Sequence, residues 1–277
     1  MTTSNAIGRQ TVAFIGGGNM ASAIVGGLLR QGLPPGQIEV VEPFAEARAR
    51  LRSQFGITAQ ESAGPALARA QLVVWAVKPQ TFKEAAAQAR AHTTAALHLS
   101  VAAGIRSDSI AAWLGTQRIV RSMPNTPALV GKGMTALFAR AGVTSDEKQV
   151  VEQLIGTTGE SLWVELEQQL DAVTALSGSG PAYVFFFLEA MVRAGVEMGL
   201  SAQQARRLAV GTFAGASALA EATVDPLDLL RQRVTSKGGT TFAAITSMEQ
   251  DRVQALFIKA MRAAGKRAAE LGDEFGA

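Results

Sequence analysis

Through residue 165 the apolar positions come in short runs of strand formers. Each run is broken by Gly or Pro and followed by a stretch of helical periodicity. The runs at 11–15, 38–41, 72–77, 97–101 and 118–121 predict strands, and 19–30, 45–55, 82–92 and 107–114 predict helices between them. Gly32 and Pro34-Pro35-Gly36 stop the first helix, and Pro79 ends the third strand. Residues 134–138 and 162–164 add further strands, the last at an edge, and 146–154 is a helix with Ser145 as N-cap. Strands alternating with helices in this way make βαβ units, which build a parallel sheet covered by helices on both faces. Residues 1–8 read as a loose tail.

The pattern changes near Glu165. Every later segment reads as helix: 170–176, 181–199, 202–222, 226–234, 241–248 and 251–271. Pro181 suits a first helical turn, where its missing N–H costs little. Gly195 with Gly199, and Gly211 with Gly215, put small residues on one helix face and allow close approach of a neighbour. Up to Met191, the helix at 181–199 is apolar around most of its circumference, so it must be covered on several sides. Five or six helices alone enclose too little interior for that, and the second half is expected to form an oligomer interface. Glu189 and Arg193 interrupt the apolar run short of the roughly 20 residues of a membrane span, so none is expected. The division is therefore 1–165 and 166–277.

Composition narrows the function classes. A length of 277 residues, 48% of them hydrophobic, fits about two packed domains rather than a disordered chain. The net charge of +3 is spread among acids without a basic run, which argues against nucleic acid as a partner. The absence of cysteine excludes disulfides, thiol nucleophiles and cysteine metal sites. It suits a reducing compartment, and with no leader-like pattern at the start, a cytoplasmic location is expected.

Gly16-Gly17-Gly18-Asn19-Met20-Ala21 follows the first strand and opens the first helix. Gly16 permits a tight turn, Gly18 lets the backbone approach a pyrophosphate, and the small Ala21 allows close packing of helix on strand. The helix N-terminus, with Asn19 and Met20 in its first turn, offers unpaired N–H groups and a positive dipole end. Two more loops leave the same sheet edge and are placed to line the ribose and nicotinamide: Ala76-Val77-Lys78-Pro79 and Ala102-Ala103-Gly104. Lys78 can reach a cofactor oxygen or stand as a surface lysine. Glu42, at the end of the second strand, can bond ribose hydroxyls and would repel a 2′-phosphate. Arg48, Arg50 and Arg52 lie close enough in sequence to bind one, or form a solvated helix face. The cofactor is thus NADP(H) or NAD(H), with the preference open and no metal expected. His98 reads as a core or edge histidine and His92 as facing the end of a helix, while Tyr183 reads as a buried aromatic with one hydrogen bond.

Several segments together resemble the pyrroline-5-carboxylate reductase family. They are residues 14–21, 76–79, Arg121-Ser122-Met123-Pro124-Asn125-Thr126-Pro127, the run 171–183 ending Leu176-Ser177-Gly178-Ser179-Gly180-Pro181-Ala182-Tyr183, and Val234-Thr235-Ser236-Lys237-Gly238-Gly239-Thr240-Thr241. They span nearly the whole chain in the family's order. The resemblance implies an α/β chain: an N-terminal Rossmann-type doubly wound sheet followed by an all-α dimerisation domain. It also implies NAD(P)H-dependent reduction of 1-pyrroline-5-carboxylate to L-proline, by homodimers that assemble further into decamers. The chain departs from the family pattern at Lys237, where many members have Pro, at Arg233, where some have Asn, and at 60–63, which lacks an Asn often found there.

The reaction places hydride on the carbon of a C=N bond. A protonated iminium accepts it readily, so no strong protein acid is obligatory in a chain with one tyrosine and two histidines. The substrate carboxylate needs an anchor. Ser236, Gly238, Gly239 and Thr240 supply an anion nest at a helix start. The resemblance assigns Thr241 as the catalytic polar contact to the substrate nitrogen or carboxylate, and places Glu167 and Thr174 near the substrate. Glu167 would favour the protonated iminium. Asn125 would face the nicotinamide side. A β-hydroxyacid dehydrogenase or ketopantoate-reductase-like enzyme is the nearest alternative, but such enzymes use an interdomain lysine, and 168–231 contains none. A non-catalytic NAD(P) sensor would leave the nest at 236–241 unexplained.

Overall fold

The computed structural model describes residues 7–276, apart from the Arg9 side chain. The tail expected at 1–8 lies mostly outside the described residues, and Ile7–Arg9 form a 3-10 turn. Seven strands form one sheet: β1 (Val12–Ile15), β2 (Ile38–Val41), β3 (Leu72–Trp75), β4 (Leu97–Ser100), β5 (Ile119–Met123), β6 (Gly133–Ala139) and β7 (Gly159–Trp163). Their spatial order is β2-β1-β3-β4-β5-β6-β7. Five strands run parallel, joined by helices α1 (Asn19–Arg30), α2 (Ala45–Phe55), α3 (Pro79–Ala89) and α4 (Ser107–Leu114).

The parallel sheet expected from the βαβ units holds for these five strands, and the added strand β6 pairs antiparallel to β5. A parallel return needs a crossover of a dozen or so residues, usually a helix. Between β5 and β6 the chain makes only the short 3-10 turn Thr126–Val130 and doubles back. Helix α5 (Ser145–Ile155) then supplies a crossover, and β7 lies parallel to β6 as an edge strand.

Strand alternation sends side chains to two cores, because both faces are covered. Val12, Phe14, Leu72 and Val74 pack with Ile24, Leu28 and Leu51 on one face. Ala13, Ile15, Val73 and Trp75 pack with Phe82 and Ile110 on the other. Helix boundaries moved where capping chemistry overrode periodicity. Helix α3 starts at Pro79 rather than residue 82 and ends in a 3-10 turn at His92, since proline is preorganised for a first turn. The N-cap of α5 is Thr144, not Ser145. The Thr144 hydroxyl accepts from Glu147 N–H and the Glu147 carboxylate accepts from Thr144 N–H at 2.8 Å, a capping box that requires its acid three residues after the cap.

His98 is a core residue. Its Nδ1 accepts from Trp75 Nε1 at 3.1 Å, and indole nitrogen only donates, so the imidazole is neutral. Burial pushes its pKa down to about 4, helped by the charge of Arg118 and opposed by a hydrogen bond at Thr93. Unfolded, it titrates near 6.5. Between these values the unfolded chain holds a proton that the folded chain lacks, so stability falls as pH drops through the window. The slope is roughly 1.4 kcal/mol per pH unit, or about 3 kcal/mol across it. Urea melts at stepped pH should show this loss, and His98→Gln should flatten it; an equally steep profile in the variant would assign the acid sensitivity elsewhere.

The described residues group into two compact units, one running through Ser179 and resuming at Ala264, the other spanning Gly180–Ala263. The second unit contains no strand among the described residues. It holds α7 (Gly180–Glu197), α8 (Ala202–Glu221), α9 (Leu227–Arg233), α10 (Thr240–Gln250) and the first part of α11 (Val253–Phe275). Helix α6 (Gln169–Val173) lies in the first unit and continues into a π-turn at Thr174–Gly178, where Ser179 N–H donates to the Thr174 carbonyl at 2.8 Å.

Within the single chain α7 is largely bare: Phe185 and Phe186 are 59% and 68% exposed. Contrary to expectation, the buried Tyr183 hydroxyl has no hydrogen-bond partner among the described residues; its ring stands edge-on to Phe257 at 5.5 Å. With α6 and the π-turn added, the run Gln169–Glu197 is long and apolar enough to cross a bilayer by length and composition alone. A partner protein surface covers such a face equally well. Phe186→Asp should weaken self-association by about 2 kcal/mol or more, roughly thirtyfold, as loss of a central aromatic anchor does. Sedimentation velocity at micromolar concentration reads this directly, and unchanged assembly would remove α7 from the interface.

Candidate active site

The strand order reverses between β1 and β3, which is where open α/β sheets bind ligands. Two loops meet there. Gly16 has φ +98°, and a Cβ on it would stand 2.6 Å from the Ala76 carbonyl oxygen, so only glycine fits. Gly18 is the reverse case: a Cβ there would meet nothing within 4 Å. It is the N-cap of α1 and makes no side-chain cap, so the first-turn amides, including those of Asn19 and Met20, face open space. Ala21 is buried beneath them. This cradle fits a dinucleotide pyrophosphate.

Glu42 is buried at the end of β2. Its Oε2 accepts from Gly17 N–H at 2.7 Å and its Oε1 from Phe44 N–H at 2.9 Å. The carboxylate therefore also ties the glycine turn to the second strand, a role the sequence reading did not foresee. Arg48 donates from Nη1 to the carbonyls of Glu42 (2.9 Å) and Pro43 (2.7 Å), while Arg50 and Arg52 are exposed.

Lys78 is exposed and is the N-cap of α3, with Pro79 in its first turn and Ala76 and Val77 half-buried before it. In the next loop Ala102 is buried and Ala103 and Gly104 are half-buried. Gly104 has φ +73°, and a Cβ there would press to 3.2 Å on Leu271 and Phe275. The last turns of α11 thus pack directly on this loop. Asn125 bridges two segments: Nδ2 donates to the Ser177 carbonyl at 3.1 Å and Oδ1 accepts from Met134 N–H at 2.9 Å. Its amide is therefore already used in bracing the Met-Pro-Asn-Thr-Pro loop against the π-turn.

Glu167 lies in the same unit, in a partly buried ionic network. It accepts from the Ser107 amide and hydroxyl, both at 2.6 Å, and from Arg121 Nη1 at 2.5 Å. Burial opposes its ionisation, but the Ser107 and Arg121 donors outweigh it and hold the carboxyl below its usual range. Arg106 extends the network to Asp171 at 2.9 Å. Glu167 thereby fixes the start of α4, immediately after the 102–104 loop. Sequence reasoning missed Arg121, Ser107 and Arg106, and no local signal could have found them, because the partners lie on separate elements. Thr174 donates its hydroxyl back to Leu170 at 2.7 Å, inside the helix that leads to the π-turn.

The second cradle belongs to the second unit. Gly238 has φ +76°, and Gly239 is the N-cap of α10 with no side-chain cap. A Cβ on Gly239 would stand 2.6 Å from Ser236 Oγ, so the loop 236–239 is closed tightly on itself. Thr240 and Thr241 occupy the first turn, with their amides available. Thr241 is half-buried, is not the cap, and its hydroxyl has no hydrogen-bond partner among the described residues. Arg233 pairs with Asp225 just before this loop. Among the described residues no group of three or more His, Asp or Glu is placed to hold a metal.

Comparison with known proteins matches both halves. Residues 167–271 match the family described as pyrroline-5-carboxylate reductase dimerisation, and residues 11–104 match NADP oxidoreductase, coenzyme F420-dependent. A pyrroline-5-carboxylate reductase of Pseudomonas aeruginosa is 46% identical over 96% of this chain and 98% of its own length. The solved pyrroline-5-carboxylate reductase of Coxiella burnetii is 38% identical with a TM-score of 0.88, covering 95% of this chain and 98% of the other. That of Plasmodium falciparum, solved with NADP bound, is 26% identical with a TM-score of 0.85 over 95% and 98% of the two chains. The glycine turn, the bare apolar helix of a self-associating half and near-full-length identity at this level all lead to one conclusion: this chain belongs to the pyrroline-5-carboxylate reductase family.

Proposed function

We propose that this NAD(P)-dependent oxidoreductase reduces the C=N bond of 1-pyrroline-5-carboxylate to give L-proline, the last step of proline synthesis. The observation that carries the reading is the second cradle: a two-glycine loop closed by the Gly239 N–H on the Ser236 carbonyl at 3.0 Å, the first-turn amides of Thr240 and Thr241 after it, and a Thr241 hydroxyl with no partner among the described residues. A small cyclic amino acid supplies the matching carboxylate and ring nitrogen. Bound NADP(H) or NAD(H) supplies the hydride.

The chain's own residues anchor and orient. Gly16, Gly18, Asn19 and Met20 hold the pyrophosphate by backbone approach and helix dipole. Residues 76–79 and 102–104 flank the ribose and nicotinamide, and Glu42 meets the adenosine ribose. Ser236, Gly238, Gly239 and Thr240 hold the substrate carboxylate. Thr241 accepts from the iminium N–H, donates to the substrate carboxylate, or orients a water between them. The substrate arrives as the iminium, so its own N–H proton stays on the product amine and no side chain must supply one. Thr174, Glu167 and Asn125 act by bracing the loops around the site. Positioning of this kind can remove roughly 7–11 kcal/mol of barrier in favourable cases.

Residues 1–165 serve as the dinucleotide-binding domain and 166–277 as the helical domain that self-associates, as dimers or as decamers built from them. The apolar face of α7 meets protein rather than lipid, the location is cytoplasmic, and nucleic acid is not a partner. Absorbance at 340 nm with pyrroline-5-carboxylate and either reduced dinucleotide tests the activity. A steady fall supports it, and a flat trace with both dinucleotides overturns it.

A further inference from the structure

We propose that Glu42 makes this enzyme prefer NADH to NADPH. The inference rests on the reading that the turn at Gly16–Met20 holds the dinucleotide. The two cofactors differ only at the adenosine 2′ position, a hydroxyl in one and a phosphate in the other. In a β1-α1-β2 unit that position lies at the end of the second strand, which is where Glu42 stands.

Its carboxylate is pinned. Oε2 takes the Gly17 N–H at 2.7 Å and Oε1 takes the Phe44 N–H at 2.9 Å. Swinging away from an incoming phosphate would strand the buried Gly17 amide, a penalty that holds the negative charge in place. Each carboxylate oxygen keeps a second acceptor position and offers no donor. A ribose hydroxyl can donate to it. A phosphate can only accept, and it adds charge of the same sign.

The cations do not reverse this. Arg48 is the guanidinium in contact with the strand end. Its Nη1 is committed to the Glu42 and Pro43 carbonyls, and its Nη2 faces the Glu61 carboxylate at 3.4 Å. Arg52 lies one helical turn farther along α2, and Arg50 points about 200° around the helix from Arg48 at 100° per residue. Glu42, Arg48 and Glu61 together leave the 2′ position net negative.

Separate equilibrium titrations of the full-length protein with NADH and NADPH, followed by calorimetry or nicotinamide fluorescence, test the inference. NADH is expected to bind at least tenfold more tightly. Glu42→Gln, which keeps a carbonyl oxygen for the Gly17 N–H, should narrow the ratio to threefold or less, chiefly by tightening NADPH. Should that variant fold poorly, salt gives a second reading on the unmodified protein: raising ionic strength should close the gap by favouring NADPH. Equal or tighter NADPH binding by the unmodified protein overturns the preference and leaves the reductase reading intact. Failure to bind either dinucleotide overturns the glycine-turn reading on which both stand.

Discussion

Replacing Thr241 with alanine should lower turnover tens- to a thousandfold while leaving dinucleotide affinity within about twofold. The expected loss is about 2–4 kcal/mol, the range for removing one aligned donor from a reacting centre. The structure sharpens the reason. Thr241 is not the N-cap of α10; Gly239 is, so alanine there removes no capping bond and should cost the helix little. The hydroxyl has no partner of its own among the described residues, which leaves it available to substrate. Thr241→Ser keeps the hydroxyl and should recover most of the rate. Steady-state rates at 340 nm and a dinucleotide titration on the same preparations separate the two effects. Unchanged kinetics in the alanine variant would refute the assignment.

Gly16→Ala and Gly18→Ala should fail in opposite ways although they lie two residues apart. At Gly16 the new methyl would stand 2.6 Å from a backbone oxygen of Ala76, with φ at +98°, in a buried turn. Strain of this kind costs about 1–3 kcal/mol before the clash is counted, so a loss of about 3 kcal/mol or more is expected. That corresponds to a melting temperature lower by roughly 10 °C for a domain of this size. At Gly18 φ is −72° and the space is empty, so the fold should tolerate alanine within a degree or two. The methyl would instead occupy the approach to the pyrophosphate and weaken both dinucleotides about tenfold or more. Thermal melts and titrations on the two variants give a crossed pattern. Equal stability loss in both would mean that the turn is structural throughout and holds no ligand.

Much of this was legible in the sequence because it is local. Strand and helix alternation through β4 follows from apolar periodicity, and the bounds of α1, α2 and α4 follow from their Gly and Pro punctuation. The positive φ of Gly16 and Gly238 follows from residue type in a tight turn. Errors arose where a neighbouring residue competed for a role. Thr144 took the cap expected of Ser145 because Glu147 completes a box only with Thr144. The helix expected over 170–176 loosened into a π-turn from Thr174. Such single-turn widenings often occur at functional sites, and this one takes the Asn125 amide on the Ser177 carbonyl.

The amino-acid order by itself determined which segments become strands and helices, where the two anion cradles lie along the chain, and that α7 needs a covering surface. These properties depend on neighbours within a turn or two, where spacing and residue type suffice. Only the tertiary structure decided what the charged side chains do. Glu42 closes on Gly17 across 25 residues, and Glu167 on Arg121 across 46. The reversal of β6 and the packing of Leu271 on the Gly104 loop belong to the same class. A carboxylate carries the same local signature whether it meets a ribose, a backbone amide or a buried guanidinium. Which partner it meets depends on how distant elements pack, and no short-range pattern encodes that.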